Sequence, residues 1–402
     1  MKKSLRILLS LIALTSCIYD FKADIEEVSR YAILEGDIQV GGTTTVSYIW
    51  AGSTNVQVVA SVEGEDGTVV TGEKDSGICT VDTRALDPAI RYRLRVRDLE
   101  NDAVYVSSWE DVQPAPVLDS LSYSIHDDVM DLKATFHSDT GMPYYCLAYR
   151  EQWEYRSYAT TYLQFVEPLK PSPTGGRELF PDPLSGLGYE YGRIFYMDDL
   201  NPYNTCWAYP GRGRTEVVTA GAMATNKMEN YTFKTIGRDD LRTSVKYRVM
   251  VVVRMLSQNT YDYWKSMDDV SSQTGDLFSP VPSLRRGNIV NEAQPDALVL
   301  GYIGASRVAS SELWIKENDV VFYRQPDSIR KMLEEDSIGQ NEPFGVTMED
   351  MYRQYKRGYR PWLMVSPSSG GTIPDTYYVW IKERCLDCRI EGGTTTKPDG
   401  WE

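Results

Sequence analysis

Histidine is nearly missing from this chain, with only His126 and His137 among 402 residues. Imidazole is the side chain that most often titrates near neutrality, so general-base chemistry has little to draw on. His137 falls in an alternating, strand-like run and His126 in a turn before Asp127-Asp128, positions that fit structural or solvent-facing roles. No Gly-x-Ser-x-Gly, no His-Glu-x-x-His and no phosphate-cradling glycine loop occurs. Serine-nucleophile, metallohydrolase and nucleotide-phosphate chemistries therefore lack their usual parts. Positive charge is also short: 42 Lys and Arg against 57 Asp and Glu leave a net −15. Phosphate backbones repel such a polyanion, which argues against a nucleic-acid partner. Long apolar runs are absent beyond the first residues; Tyr247 to Leu256 is apolar but short and interrupted by Arg248 and Arg254.

What is present begins at the N-terminus. Lys2, Lys3 and Arg6 precede an apolar run, Leu5 to Leu14, and Leu14-Thr15-Ser16-Cys17 follows directly. A basic start, an apolar stretch too short to span a bilayer and small residues before a cut are the parts of a secretory signal. The Leu-x-Ser-Cys ending resembles the lipobox of bacterial lipoproteins, which implies lipidation at Cys17 and removal of residues 1–16. Losing three cations would take the net charge from −15 to −18. A surface so acidic is unsuited to gripping anionic lipid, so membrane attachment is assigned to acyl chains on Cys17, several of which give stable anchoring.

Residues 17–30 read as a polar, acidic tether. From 31 to 115, short strand-like runs such as Val56 to Val62 and Val104 to Trp109 alternate with Gly and Asp turns. Tyr92-Arg93-Leu94-Arg95-Val96-Arg97 alternates strictly, one face for a core and one for water. This spacing predicts an immunoglobulin-like or fibronectin-like sandwich, with Tyr92 in the place of the late-strand tyrosine of such domains. Pro114-Ala115-Pro116 marks a boundary, and 116–402 is expected to form a larger β-rich body with a few short helices, the fold class being mainly β. Its strands are expected at Leu118 to Ile125, Val129 to Phe136 and Tyr144 to Trp153, and at Lys246 to Val251, which repeats the Tyr-x-Leu/Val-x-Val rhythm of the first domain. Between them lies a long insertion, 168–231, dense in Pro, Gly, Tyr and Trp; connections of this length without periodicity are usually functional or mobile. Helices are expected at Tyr261 to Val270 and at Met348 to Lys356, and a strand at Tyr377 to Lys382.

The aromatic balance is unusual, 28 Tyr and 9 Trp against 9 Phe. Such rings serve half-wet strands, and they also offer stacking faces to sugars and extended peptides. Trp153, Tyr155, Tyr191, Tyr203 and Trp207 are the candidate ligand-binding residues, with packing of the insertion over a sandwich as the competing use. Of six cysteines, five follow Cys17, an odd number that leaves at least one thiol free. An oxidising envelope favours disulfides. Cys385 and Cys388 are near enough to pair with each other, and either could instead reach Cys206. A zinc knuckle would need two further ligands, and no helix-opening redox motif in an α/β fold surrounds the pair. Acidic doublets at Asp198-Asp199, Asp239-Asp240 and Asp268-Asp269 lack calcium-loop spacing and read as solvated turns. No metal or cofactor is expected.

Read together, Leu34-Glu35-Gly36, Tyr261-Asp262-Tyr263-Trp264, Gly275-Asp276-Leu277-Phe278, Arg286-Gly287-Asn288-Ile289, Leu300-Gly301-Tyr302-Ile303, Cys385-Leu386-Asp387-Cys388-Arg389 and Gly392-Gly393-Thr394 occur in that order. With the ending Lys397-Pro398-Asp399-Gly400-Trp401, in which Gly400 is an extra residue, this succession resembles the Bacteroidota family of domain of unknown function 4249. The resemblance implies an outer-membrane lipoprotein without established enzymatic activity, often encoded beside TonB-dependent transporters. The expected role is that of a non-catalytic accessory binding a nutrient such as a sugar or peptide, or the transporter itself. The alternatives are an envelope hydrolase using two carboxylates in the insertion and a structural or adhesive surface protein.

Overall fold

A computed structural model describes residues 31–50, 56–166, 180–181, 188–189, 193–197, 199–210, 213–223, 226–273, 286–317, 320–338, 348–365 and 377–401. The signal, the tether with Cys17, Gly275 to Phe278, Tyr191 and much of the first half of 168–231 lie outside the described residues.

The first body is a sandwich of two sheets. Ala32–Gln39 and Thr43–Trp50 form a hairpin flanked by Ile78–Asp82, and Val104–Ser107, Tyr92–Asp98 and Gln57–Gly64 lie side by side in the facing sheet. Strict alternation along Gln57–Gly64 and Tyr92–Asp98 buries Val58, Ala60, Val62, Leu94 and Val96, while the charged residues between them pair across the outer face. Arg93 reaches Glu63, and Arg95 spans to Glu292. Tyr92 is buried and its hydroxyl donates to the Asp87 carbonyl oxygen at 2.9 Å, which fixes the corner that leads into its strand.

Both sheets are finished by a segment far down the chain. Val299–Leu300 and Ile303–Ser306 pair in parallel with Ala32–Gln39, and Ile289–Asn291 pairs antiparallel with Val104–Ser107. The first core thus includes Ile289, Val299, Ile303 and Ala305, extending the sandwich beyond 31–115. Gly301, at φ +109, is where the returning chain crosses Leu34; a Cβ there would stand 1.8 Å from the Leu34 carbonyl oxygen.

The second body is also a sandwich. One sheet runs Lys227–Gly237, Val129–His137, Val117–His126; the other runs from Tyr144–Arg156 through Lys246–Met255 to Val308–Lys316. Phe136, Tyr145, Leu147, Val249, Val251 and Val253 fill the space between. Part of the region expected as an insertion belongs to this body: Thr205–Ala208 and Arg214–Thr219 both pair with Tyr144–Arg156, and Lys227–Gly237 is an edge of the other sheet. These strands are short or half-exposed, so their residues do not alternate in hydrophobicity as a strand buried on one face does.

Helix Gln258–Gln273 contains the expected Tyr261 to Val270, and helix Met348–Lys356 and strand Tyr377–Lys382 coincide with their expected positions. Tyr377–Lys382 is central in a small sheet between Ser337–Ile338 and Tyr359–Val365, whose core of Ala159, Ile381, Cys385 and Leu386 ties it to the second body. No helix among the described residues is long and apolar enough to cross a membrane.

Candidate functional site

The paired end of the long strand Tyr144–Arg156, with Tyr158 just beyond it, forms the floor of a groove of about 340 Å³. Trp153, Tyr155 and Tyr158 lie along it. The lining also includes the turn from Asp239 into the short 3-10 helix Leu241–Thr243, and Tyr323, Pro326, Ser328 and Ile329 around the start of helix Asp327–Glu335. Glu391, from the C-terminal segment, closes one end. This size is at the lower end of what small-molecule sites occupy. A second crevice, between Asp37, Glu110, Ser257 and Thr260 at the junction of the sandwiches, leaves no room even for a water molecule.

A buried carboxylate, Glu151, sits two positions before Trp153 on the same face of the strand. Glu151 accepts a hydrogen bond from the Tyr247 hydroxyl at 2.9 Å, and Lys234 Nζ lies 3.8 Å from its other oxygen. Arg242 Nε stands 3.3 Å from Glu151, an ion-pair separation without the alignment of a hydrogen bond. The same guanidinium donates from Nη1 to Asp240 and lies over the Trp153 ring, 4.9 Å from its centroid. Two carboxylates and an indole thus engage this one cation, and its position orients Trp153. Tyr247 opens the second Tyr-x-Val-x-Val run, as Tyr92 opens the first, but its hydroxyl meets a side-chain carboxylate where that of Tyr92 meets the backbone.

The C-terminal segment is fastened beneath the floor. Cys206 and Cys388 are joined in a disulfide, with Cα atoms 5.7 Å apart, packed against buried Tyr155. The Tyr155 hydroxyl donates to the Cys388 carbonyl oxygen at 2.9 Å and accepts from the Gly393 N–H at 3.0 Å. Gly392 takes the left-handed conformation, φ +83, that ends the 3-10 turn Cys388–Glu391. At Gly393 a Cβ would stand 2.3 Å from the Tyr155 oxygen, so only glycine lets the chain pass this close. Thr394 then bridges to Trp207, and Trp401 Nε1 donates to Glu154. Of the alternatives open to Cys385 and Cys388, the bond runs from Cys388 to Cys206; as a disulfide candidate Cys385 is corrected to a free, buried thiol. Its sulfur lies 3.6 Å from Asp336, and burial together with that carboxylate pushes the thiol up to about 11.

The groove phenols are uncharged donors. Burial, and then the hydrogen bond to Glu391 at 2.6 Å, holds the Tyr158 hydroxyl well above the usual phenol range. Burial raises Tyr323 as well, with Asp239, Asp240 and Glu391 adding to the effect.

The helix wall is pinned at its far end by Asp336, which follows helix Asp327–Glu335 and accepts from Lys382 Nζ at 2.7 Å and from Arg384. Burial works against ionising Asp336, but the hydrogen bonds from Lys382 and Arg384 and their charges prevail and hold its carboxyl below the usual range. A carboxyl depressed in the folded state stabilises it above the unfolded pKa, and that contribution disappears as pH falls through the folded value. The small sheet and its helix are therefore expected to loosen in acid, as pH falls below the ordinary carboxylate range and through the depressed folded value of Asp336. Melting temperatures measured across this range should fall less steeply for Asp336→Asn than for the native chain; parallel slopes would place the acid sensitivity elsewhere.

The five candidate ligand residues are dispersed by this geometry. Trp153 and Tyr155 share the groove floor. Trp207 stands opposite Glu154 in the strand register, on the other face of the sheet. Tyr203 lies under the Arg389 guanidinium, 3.8 Å from its ring centroid, outside the groove lining. Tyr191 is outside the described residues. The lining adds Tyr158, Tyr323, Arg242, Glu391 and the doublet Asp239-Asp240, expected as a solvated turn. His137 pairs with Asp119 at 3.0 Å and His126 with Asp131 at 3.8 Å, and neither is among the groove-lining residues. Among the described residues no group of three or more His, Cys, Asp or Glu could hold a metal ion.

No curated protein matches the chain. Among solved structures, a two-domain fibronectin type-III segment of chicken tenascin is similar at 11% identity, over 56% of this chain and 90% of that one, with a TM-score of 0.18. The model of a domain of unknown function, DUF4249, matches residues 18–312, and the chain belongs to that family.

Proposed function

We propose that this protein is held to the bacterial outer membrane by lipid on Cys17 and binds a small ligand in the aromatic groove, as an accessory to a TonB-dependent transporter. The observation that carries the binding role is the groove itself, where Trp153, Tyr158 and Tyr323 line a concavity of about 340 Å³. Flat, stiff rings bind with little loss of side-chain freedom, and polar groups beside them fix orientation. The lipobox supports the anchor, and the Cys206–Cys388 disulfide fits an oxidising compartment outside the cytoplasm. The missing nucleophile and metal motifs favour recognition over transformation of the ligand.

The test is a thermal-shift screen of the purified chain against oligosaccharides and short peptides, repeated with Trp153→Ala. A native hit should weaken by about tenfold or more in affinity when the indole is removed, the scale of losing a stacked aromatic contact. Ligands that shift both proteins equally would remove the groove from the proposal. Labelled palmitate should enter the native chain and not Cys17→Ser; labelling of both would remove the anchor.

A further inference from the structure

The groove's free polar groups select the charge of what enters it. Three carboxylates, Asp239, Asp240 and Glu391, line it against one guanidinium, Arg242. Arg242 is committed to Asp240, Glu151 and the Trp153 face, so among the described residues of the lining no unmatched cation is present to receive a carboxylate or phosphate. Asp240 is occupied by Arg242 and its backbone N–H. Asp239 has no hydrogen-bond or ion-pair partner among the described residues, and Glu391 accepts from Tyr158 through one oxygen only. What the groove offers is acceptor oxygen on an acidic rim with the Tyr158 and Tyr323 rings alongside. A carboxylate accepts and cannot donate, and an aromatic face attracts a cation.

Resting on the binding role proposed above, we infer that the groove takes a cationic amine, such as a lysine or arginine side chain of a peptide, between Asp239, Glu391 and the two tyrosine rings. The ammonium or guanidinium supplies the donors that these oxygens lack, and its apolar stem lies along Trp153 and Ile329. The net charge of −15 adds a longer-range attraction for such ligands.

Calorimetric titration of the full chain with tetralysine, tetraglutamate and maltotetraose decides the point. Tetralysine is expected to bind, to weaken as salt is raised, and to lose about tenfold or more in affinity to the isosteric pair Asp239→Asn with Glu391→Gln. Glu73→Gln with Glu100→Gln removes two exposed charges on the first sandwich and should leave tetralysine binding as in the native chain. If both pairs weaken binding equally, the contact is diffuse surface charge and the inference is overturned. Maltotetraose bound alike by the native and Asp239/Glu391 proteins would overturn the cationic assignment while leaving groove binding in place. Tetraglutamate bound in the groove would overturn it as well. Should none of the three bind and the thermal-shift screen also give no hit, both the inference and the binding role fall.

Discussion

Cys206→Ser is expected to destabilise the second body by about 4–5 kcal/mol, the largest effect of any single change considered. The bond joins positions 182 residues apart, and cross-linking so long a loop removes much of the freedom of the unfolded chain. Denaturation in urea followed by tryptophan emission should show the loss in the non-reduced variant, and the native chain should approach it when reduced. Cys385→Ser is the matched control, since that thiol forms no disulfide and a hydroxyl can keep its contact with Asp336; it should behave much as the native protein does. A loss below about 1 kcal/mol in Cys206→Ser would mean that docking of Tyr155, Thr394 and Trp401 holds the tail without the cross-link. Because Glu391 lies three residues past Cys388, the variant should also bind groove ligands more weakly.

Removing Arg254 is expected to cost about 3–5 kcal/mol. This residue belongs to the second sandwich, and its Nη1 lies 3.2 Å from Asp37 of the first, whose side chain is only 7% exposed. Ser306 also donates to Asp37. Arg254→Met keeps much of the side-chain volume but leaves a carboxylate shut in at the seam with one hydroxyl to satisfy it. Asp37→Asn added to Arg254→Met should recover part of the loss, and the double-mutant cycle measures the coupling. Strictly additive losses would show that the pair contributes through packing and not through charge.

The comparison of sequence with structure turns on range. The alternation of Tyr92 to Arg97 and of Lys246 to Val251 marked buried strands because each has one dry and one wet face. The pairing of 299–306 with the first sandwich gave no local sign, since parallel pairing across more than two hundred residues depends on a partner that no short window contains. Trp153 and Tyr155 stand out in the sequence only as members of a dense aromatic stretch; the structure adds that, two positions apart on one strand, they share a face. Tyr323 and Glu391 do not stand out, because they reach the groove from separate segments far along the chain, outside that aromatic stretch. Asp239-Asp240 looked like any acidic turn; only the hold of Asp240 on Arg242 and the Trp153 face beside it give the doublet a role. Cys385 and Cys388 differ by three positions yet point into different cores, one against Ile381 and the other against Tyr155.

The crossing at Leu34 bears on how the polypeptide matures. Its opening β-hairpin waits, with one border unzipped, until roughly three quarters of the translation product has emerged to supply the missing rungs. An amino-terminal fragment ending near Pro114 would expose that seam and invite aggregation. Such late completion commits both halves of the chain to fold together.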